Sequence, residues 1–113
     1  MPQFNYSQAM TANQLGFDPL TSWQYRYLPW RAGVQLLVRA TTNGVKLTVY
    51  SGSQTIMQRA PVQGGGTAGV IPSSLNTEPI EWVGMAGDLI LLQHDETLGG
   101  TPTVDGIIKV NPI

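Results

Sequence analysis

Apolar and polar residues alternate on both sides of Asn43-Gly44 within residues 34–51, VQLLVRATTNGVKLTVYS. Asn-Gly is the pair that a two-residue type I′ turn favours, because both of its central positions need positive φ. The segment therefore predicts a β-hairpin. Counting outward from the turn sets Ala40 opposite Leu47 and Val38 opposite Val49 on one side of the ribbon. Leu37 then faces Tyr50, Arg39 faces Thr48 and Thr41 faces Lys46 on the other. The first set is apolar throughout and the second is mixed, whereas a slip of one residue would mingle them.

Residues 80–95, IEWVGMAGDLILLQHD, form a second patterned stretch. Ile80 and Trp82 alternate with Glu81, and residues 84–88 carry turn chemistry. Leu89, Ile90, Leu91 and Leu92 make an unbroken apolar run, which predicts a strand covered on both faces. Residues 53–62, SQTIMQRAPV, have strand character without a clean face and end at Ala60-Pro61. Residues 104–110 predict a last strand after the Gly99-Gly100 and Pro102 turn, with Gly106 a candidate bulge. In residues 23–30, WQYRYLPW, the spacing sets Trp23, Tyr25 and Tyr27 on one strand face, and Pro29 confines its end to an edge or a break. About seven to eight short strands fit between residues 23 and 110, with no helix of convincing length. The expected fold is all-β: a single-domain antiparallel β-sandwich, jelly-roll-like rather than a closed barrel. No internal repeat points to a propeller or solenoid.

Residues 1–22 read differently. They are rich in Gln, Asn, Ser and Thr, with isolated Phe4, Tyr6, Met10, Leu15 and Phe17 and only weak helical spacing from Ala9 to Leu15. One reading makes them an extended N-terminal arm that orders on a neighbour, outside a sandwich domain of residues 23–113. The other makes them a first strand and loop of the same domain. The segment carries no Lys or Arg, so it is not the basic internal tail of a genome-binding coat protein.

Composition narrows the functional classes. A chain of 113 residues with 42% hydrophobic content can bury one ordinary core. Only 12% of residues are charged, against about 25% in an average soluble domain. A polar but weakly charged surface lacks the repulsion that keeps many proteins apart, which favours packing against copies or a partner. The six Lys and Arg residues are spread singly and the net charge is −1, so no basic footprint for nucleic acid exists. Without cysteine, neither a disulfide framework nor a thiolate metal site can form. The segment MPQFNYSQAM has no basic region or apolar core of a secretory signal, and position 2 is not the glycine of a myristoylation motif. No apolar run approaches the ~20 residues of a membrane-spanning helix. The expectation is a soluble chain made in a cytoplasm, with no membrane partner.

Candidate chemistry is sparse. His94-Asp95-Glu96 contains the one histidine and the densest set of ligand atoms. On a strand, alternate residues share a face, so His94 and Glu96 could hold a metal with Asp88 or Asp105 as a third ligand. Serines are available for a Ser-His-Asp triad, but no nucleophile elbow supports one. Glu78 and Glu81 could pair for acid–base work on a glycan, with nothing to position them. Gly64-Gly65-Gly66 lacks the spacing and the lysine of a phosphate-binding loop and reads as a flexible connection. Each of these groups reads best as a solvated loop residue. The expectation is a protein that is not an enzyme and has no cofactor or metal.

The stretch WVGMAGDLILL, an apolar strand, an Ala-Gly-Asp turn and a second apolar strand, resembles small β-sandwich proteins of virions. With the Gly-, Thr- and Gln-rich, cysteine-free composition it is similar in style to bacteriophage capsid-decorating (cement) proteins over residues 34–110. The resemblance implies a structural virion protein, a trimeric or otherwise oligomeric clasp bound to itself and to a major capsid protein. Phe4, Tyr6, Phe17, Trp23, Tyr25, Tyr27 and Trp30 are the candidate interface residues, because desolvated aromatics dominate interface energetics. The alternative is a small carbohydrate-binding β-sandwich that uses the same aromatics as a sugar platform.

Overall fold

The alternating stretches form seven strands in the computed structural model, which describes residues 3–70, 72, 77 and 79–113. They are β1 (Gln3–Ala9), β2 (Ala32–Ala40), β3 (Val45–Ser51), β4 (Gln54–Pro61), β5 (Ile80–Gly84), β6 (Ile90–Glu96) and β7 (Thr103–Pro112). One sheet has the order β1-β7-β2-β5 and the other β4-β3-β6, and every pairing is antiparallel. The chain is an all-β sandwich.

Its pairings are nested. β1 pairs with β7, β2 with β5 and β3 with β4, while Phe17 bridges His94 of β6 and Tyr27 bridges Leu89, the residue just before β6. These are the rungs of one long antiparallel hairpin. Rolling that hairpin adds the contacts of β2 with β7 and of β3 with β6. The result is jelly-roll connectivity, with the irregular segment between β1 and β2 in the place of an eighth strand.

The Asn43-Gly44 hairpin does not form. β2 and β3 lie in different sheets, and residues 41–44 cross between them. Gly44 has φ 113°, but Asn43 is not among the residues of positive φ, so the type I′ geometry is absent. The loop is held by tertiary contacts instead: Thr97 donates its N–H and hydroxyl to the Gly44 carbonyl at 2.9 and 2.7 Å. Val38, Ala40, Leu47 and Val49 are nonetheless buried together, because the apolar faces of β2 and β3 meet across the sandwich. Alternation selected the inward residues and the turn signal misassigned their partners.

Two further expectations change. Residues 24–26 form a 3₁₀ turn rather than part of a strand. Asp18 accepts from the Leu20 N–H and pairs with Arg26 at 2.9 Å, which curls the chain before Tyr27 reaches β6. In β6, Ile90 and Leu92 are fully buried while Leu91 is half-buried, so the apolar run alternates and is not covered equally on both faces.

The N-terminal segment takes the second of its two readings. β1 is a sheet strand, Tyr6, Met10 and Leu20 belong to the core, and residues 14–17 and 27–28 bond along the side of β6 and its preceding residues that β3 leaves open. Burial of Met10 and Leu20, each contributing about 1.5–3 kcal/mol, explains why an apparently polar stretch is not a loose arm. The Gly64–Gly66 run packs against the β2–β3 crossing. The Gly65 and Gly66 N–H groups reach the Thr41 and Ala40 carbonyls, and a side chain at Gly64 would collide with Asn43. Ile71 and residues 73–76, between β4 and β5 in the chain, lie outside the described residues.

Candidate interaction surface

His94 points inward from β6 and is fully buried. Its Nδ1 lies 3.2 Å from the Phe17 carbonyl oxygen and its Nε2 lies 3.0 Å from the Tyr6 hydroxyl. A carbonyl only accepts, so Nδ1 carries the proton and Nε2 accepts from the tyrosine. Burial pushes the imidazole pKa down to about 4, against weaker upward pulls from the Phe17 carbonyl and Asp95. Burial also raises the Tyr6 pKa, with Asp105 adding to the effect. At neutral pH both groups are therefore uncharged, and they bolt β1 of one sheet to β6 of the other. Gly106 is no bulge: the β1–β7 ladder runs through it unbroken, and its missing side chain makes room for the Tyr6 ring.

The neighbouring carboxylates are occupied by the backbone. Glu96 accepts from the N–H groups of Asn13, Leu98 and Gly99 at 2.8, 2.9 and 2.9 Å. The Asn13 bond leads in lowering its pKa. Asp95 faces the other side of β6, where it accepts from Gly16 N–H and pairs with Arg59. Asp88 closes the β5–β6 turn by accepting from Met85 N–H at 2.9 Å, and Asp105 accepts from Gly69 N–H. Among the described residues, no group of three or more acidic or histidine side chains could hold a metal. Glu78, the proposed partner of Glu81, lies outside the described residues.

The aromatic candidates divide. Phe4 stacks on Trp23, Trp23 meets Tyr25 edge-on, and Tyr25 stacks on Trp30, with centroids 5.6, 5.8 and 6.0 Å apart. These four are half-buried and spend much of their ring surface on one another. Tyr6 sits inside the sandwich, and Phe17 packs against His94. Tyr27 alone of the seven is mainly exposed, at 61%.

Tyr27 has neighbours that sequence reasoning missed. Leu28 N–H donates to the Asp88 carbonyl and Gly87 N–H to the Leu28 carbonyl. Ala32 pairs with Gly84 and Pro112, and Ile113 N–H reaches the Arg31 carbonyl. Residues 27–33, 83–88 and 111–113 thus converge at one end of the sandwich. Met85 (56% exposed), Val83 and Ile113 are open to solvent there. Once Ile80 and Trp82 face inward, alternation places Val83 on the outer face, which is the one sequence signal for this patch. It borders a shallow hollow of about 580 Å³ on the outer face of the four-stranded sheet, lined by Gly33, Gln35, Glu81, Val83, Lys109 and Asn111. A second hollow of about 420 Å³ opens between the sheets beside β4 and β5, with apolar Val38, Leu47, Met57, Val62 and Ile80 in its lining.

Compared with protein-family models and with curated protein sequences, the chain matches none. The class is therefore defined by the fold, a two-sheet antiparallel β-sandwich. No helix among the described residues is long and apolar enough to cross a membrane.

Proposed function

We propose that this chain is a non-enzymatic structural protein of a virus particle. It decorates, stabilises or forms part of a capsid through self-association and contact with a major capsid protein. The observation that carries the reading is the exposed apolar end formed by Tyr27, Val83 and Met85, set on a surface with few charges. Contiguous exposed apolar area marks interaction sites in soluble domains. The jelly-roll connectivity supports the reading by fold analogy, since viral capsid domains share it. So does the way His94, Asp95 and Glu96 are occupied in holding the sandwich together. The resemblance to decoration proteins implies a trimeric or otherwise oligomeric clasp.

Mass spectrometry of density-purified particles from the source that carries the gene tests the location. The chain is expected in the particle fraction, and its confinement to the soluble fraction overturns the reading. The Tyr27→Ser/Met85→Ser double variant should keep its fold and weaken particle binding about tenfold or more, as expected for loss of apolar anchors.

Lectins share the jelly roll, and the part-exposed row of Trp23, Tyr25 and Trp30 favours a carbohydrate-binding module as the second reading. Glycan-array binding that disappears with Trp23→Ala and Trp30→Ala would select it, and a blank array would count against it.

A further inference from the structure

Each sheet of an open sandwich has two edges, and unpaired backbone along an edge is a template for another strand unless something blocks it. In this molecule three edges are blocked or cut short. Along β6, Phe17 exchanges backbone hydrogen bonds with His94 and Glu96 N–H donates to the Gln14 carbonyl, and in the turn just before it Leu28 N–H donates to the Asp88 carbonyl. β4 pairs with β3 through two register shifts, carries Arg59 at φ 45°, and ends in Pro61. β5 has only five residues, and its outward-facing backbone groups are those of Glu81 and Val83.

The fourth edge is β1, and no strand or loop among the described residues pairs along it. Its pairing with β7 runs from Gln3↔Lys109 to Ala9↔Thr103 without a shift. The Met10 N–H bond to the Pro102 carbonyl sets the phase of this ladder. Even-numbered residues of β1 bond to β7, so Gln3, Asn5, Ser7 and Ala9 direct their N–H and C=O groups away from the sheet. Among the described residues, those groups have no partner apart from the Ala9 carbonyl, which accepts from the Gln8 side chain. The strand has no proline, no charge and no bulge, and the side chains of Gln3, Asn5, Ser7 and Ala9 are exposed.

We propose that β1 pairs with β1 of a second copy, antiparallel about a two-fold axis at Tyr6, to join the two four-stranded sheets into one. This identifies the self-association surface and rests on the structural-protein reading above. The strand is self-complementary. Centred on Tyr6, Gln3 faces the partner's Ala9 and Asn5 faces the partner's Ser7, so every outward residue meets another outward residue. About eight backbone hydrogen bonds can form, and no like charges meet. Pairing β1 with the partner's β5 instead would use only the short outward register of Glu81 and Val83. An isologous edge closes as a pair, so of the oligomers that the resemblance leaves open the assembly is a dimer and not a trimer.

The test is native mass across a concentration series for the wild type, Asn5→Pro and Asn5→Lys/Ser7→Lys, with amide hydrogen exchange on each. The Asn5 N–H points away from β7, so proline removes no bond of the fold and blocks only an added strand. The double lysine variant sets its two introduced ammonium groups directly opposite those of the partner strand, and it serves if the proline variant fails to fold. The expected result is a wild-type dimer whose Ser7 amide exchanges more slowly as concentration rises. Either variant should raise the dissociation constant at least about a hundredfold while keeping the thermal transition of the monomer. A wild-type oligomer that both folded variants retain would overturn the β1 assignment and leave self-association intact. A wild-type chain that stays monomeric throughout would overturn both.

Discussion

At residue scale, the informative group is the buried pair of Tyr6 and His94. The imidazole pKa lies near 4 in the folded chain, below its unfolded value of about 6.5. Above pH 6.5 both states are neutral and the full stability is present. As pH falls from about 6.5 to about 4, the unfolded chain takes up a proton that the folded chain refuses, and stability declines by about 3 kcal/mol. Glu96, whose pKa is lowered by the Asn13 bond, extends the loss to lower pH. Urea melts between pH 4 and pH 8 should show this slope, and His94→Phe should flatten it between pH 4 and pH 6.5. A second residue-scale prediction concerns Gly106, where an added Cβ runs into the Tyr6 ring. Gly106→Ala should destabilise by about 1–3 kcal/mol in the same melts, as overpacking of a tight core does. An unchanged midpoint would show that the ring can move aside.

At the scale of elements, the connection between β2 and β3 separates two geometries that share one sequence pattern. In a type I′ hairpin both Asn43 and Gly44 would sit at positive φ, and replacing either would cost stability. In the crossing that forms, only Gly44 has positive φ, and Leu98 packs against it. Gly44→Ala should therefore cost more than about 1 kcal/mol, while Asn43→Ala should cost less than about 0.5 kcal/mol. Equal costs in denaturant melts would favour the hairpin. The segment after β1 follows the same logic. Its aromatics alternate as a strand would, yet the Asp18–Arg26 pair and the 3₁₀ turn decide its path.

For the whole molecule, both sheets share one core. Leu36, Val38, Val104 and Ile108 from one sheet and Leu47, Val49, Ile90 and Leu92 from the other belong to a single buried cluster. Leu92→Ala should accordingly cost about 2–5 kcal/mol. Backbone and aromatic circular dichroism should lose signal in one coincident transition, because neither sheet has a core of its own. Two separated transitions would show that the sheets are independent.

The strand periods of residues 34–51, 80–84 and 104–110, and hence an all-β sandwich, were determined by the sequence itself. An alternating strand must bury its apolar face whatever it pairs with, which is why Val38, Ala40, Leu47 and Val49 lie inward as their spacing requires. Partners were decided only by tertiary structure. A period of two residues says which side faces in, and it does not say which strand lies alongside, so β2 and β3 could part and join different sheets. The same limit hid the roles of His94, Glu96 and Gly64 to Gly66, whose partners at Tyr6, Asn13 and Asn43 stand 88, 83 and about 20 residues away. It also hid the apolar end, because Tyr27, Val83 and Met85 come from segments that meet only when the long hairpin is rolled.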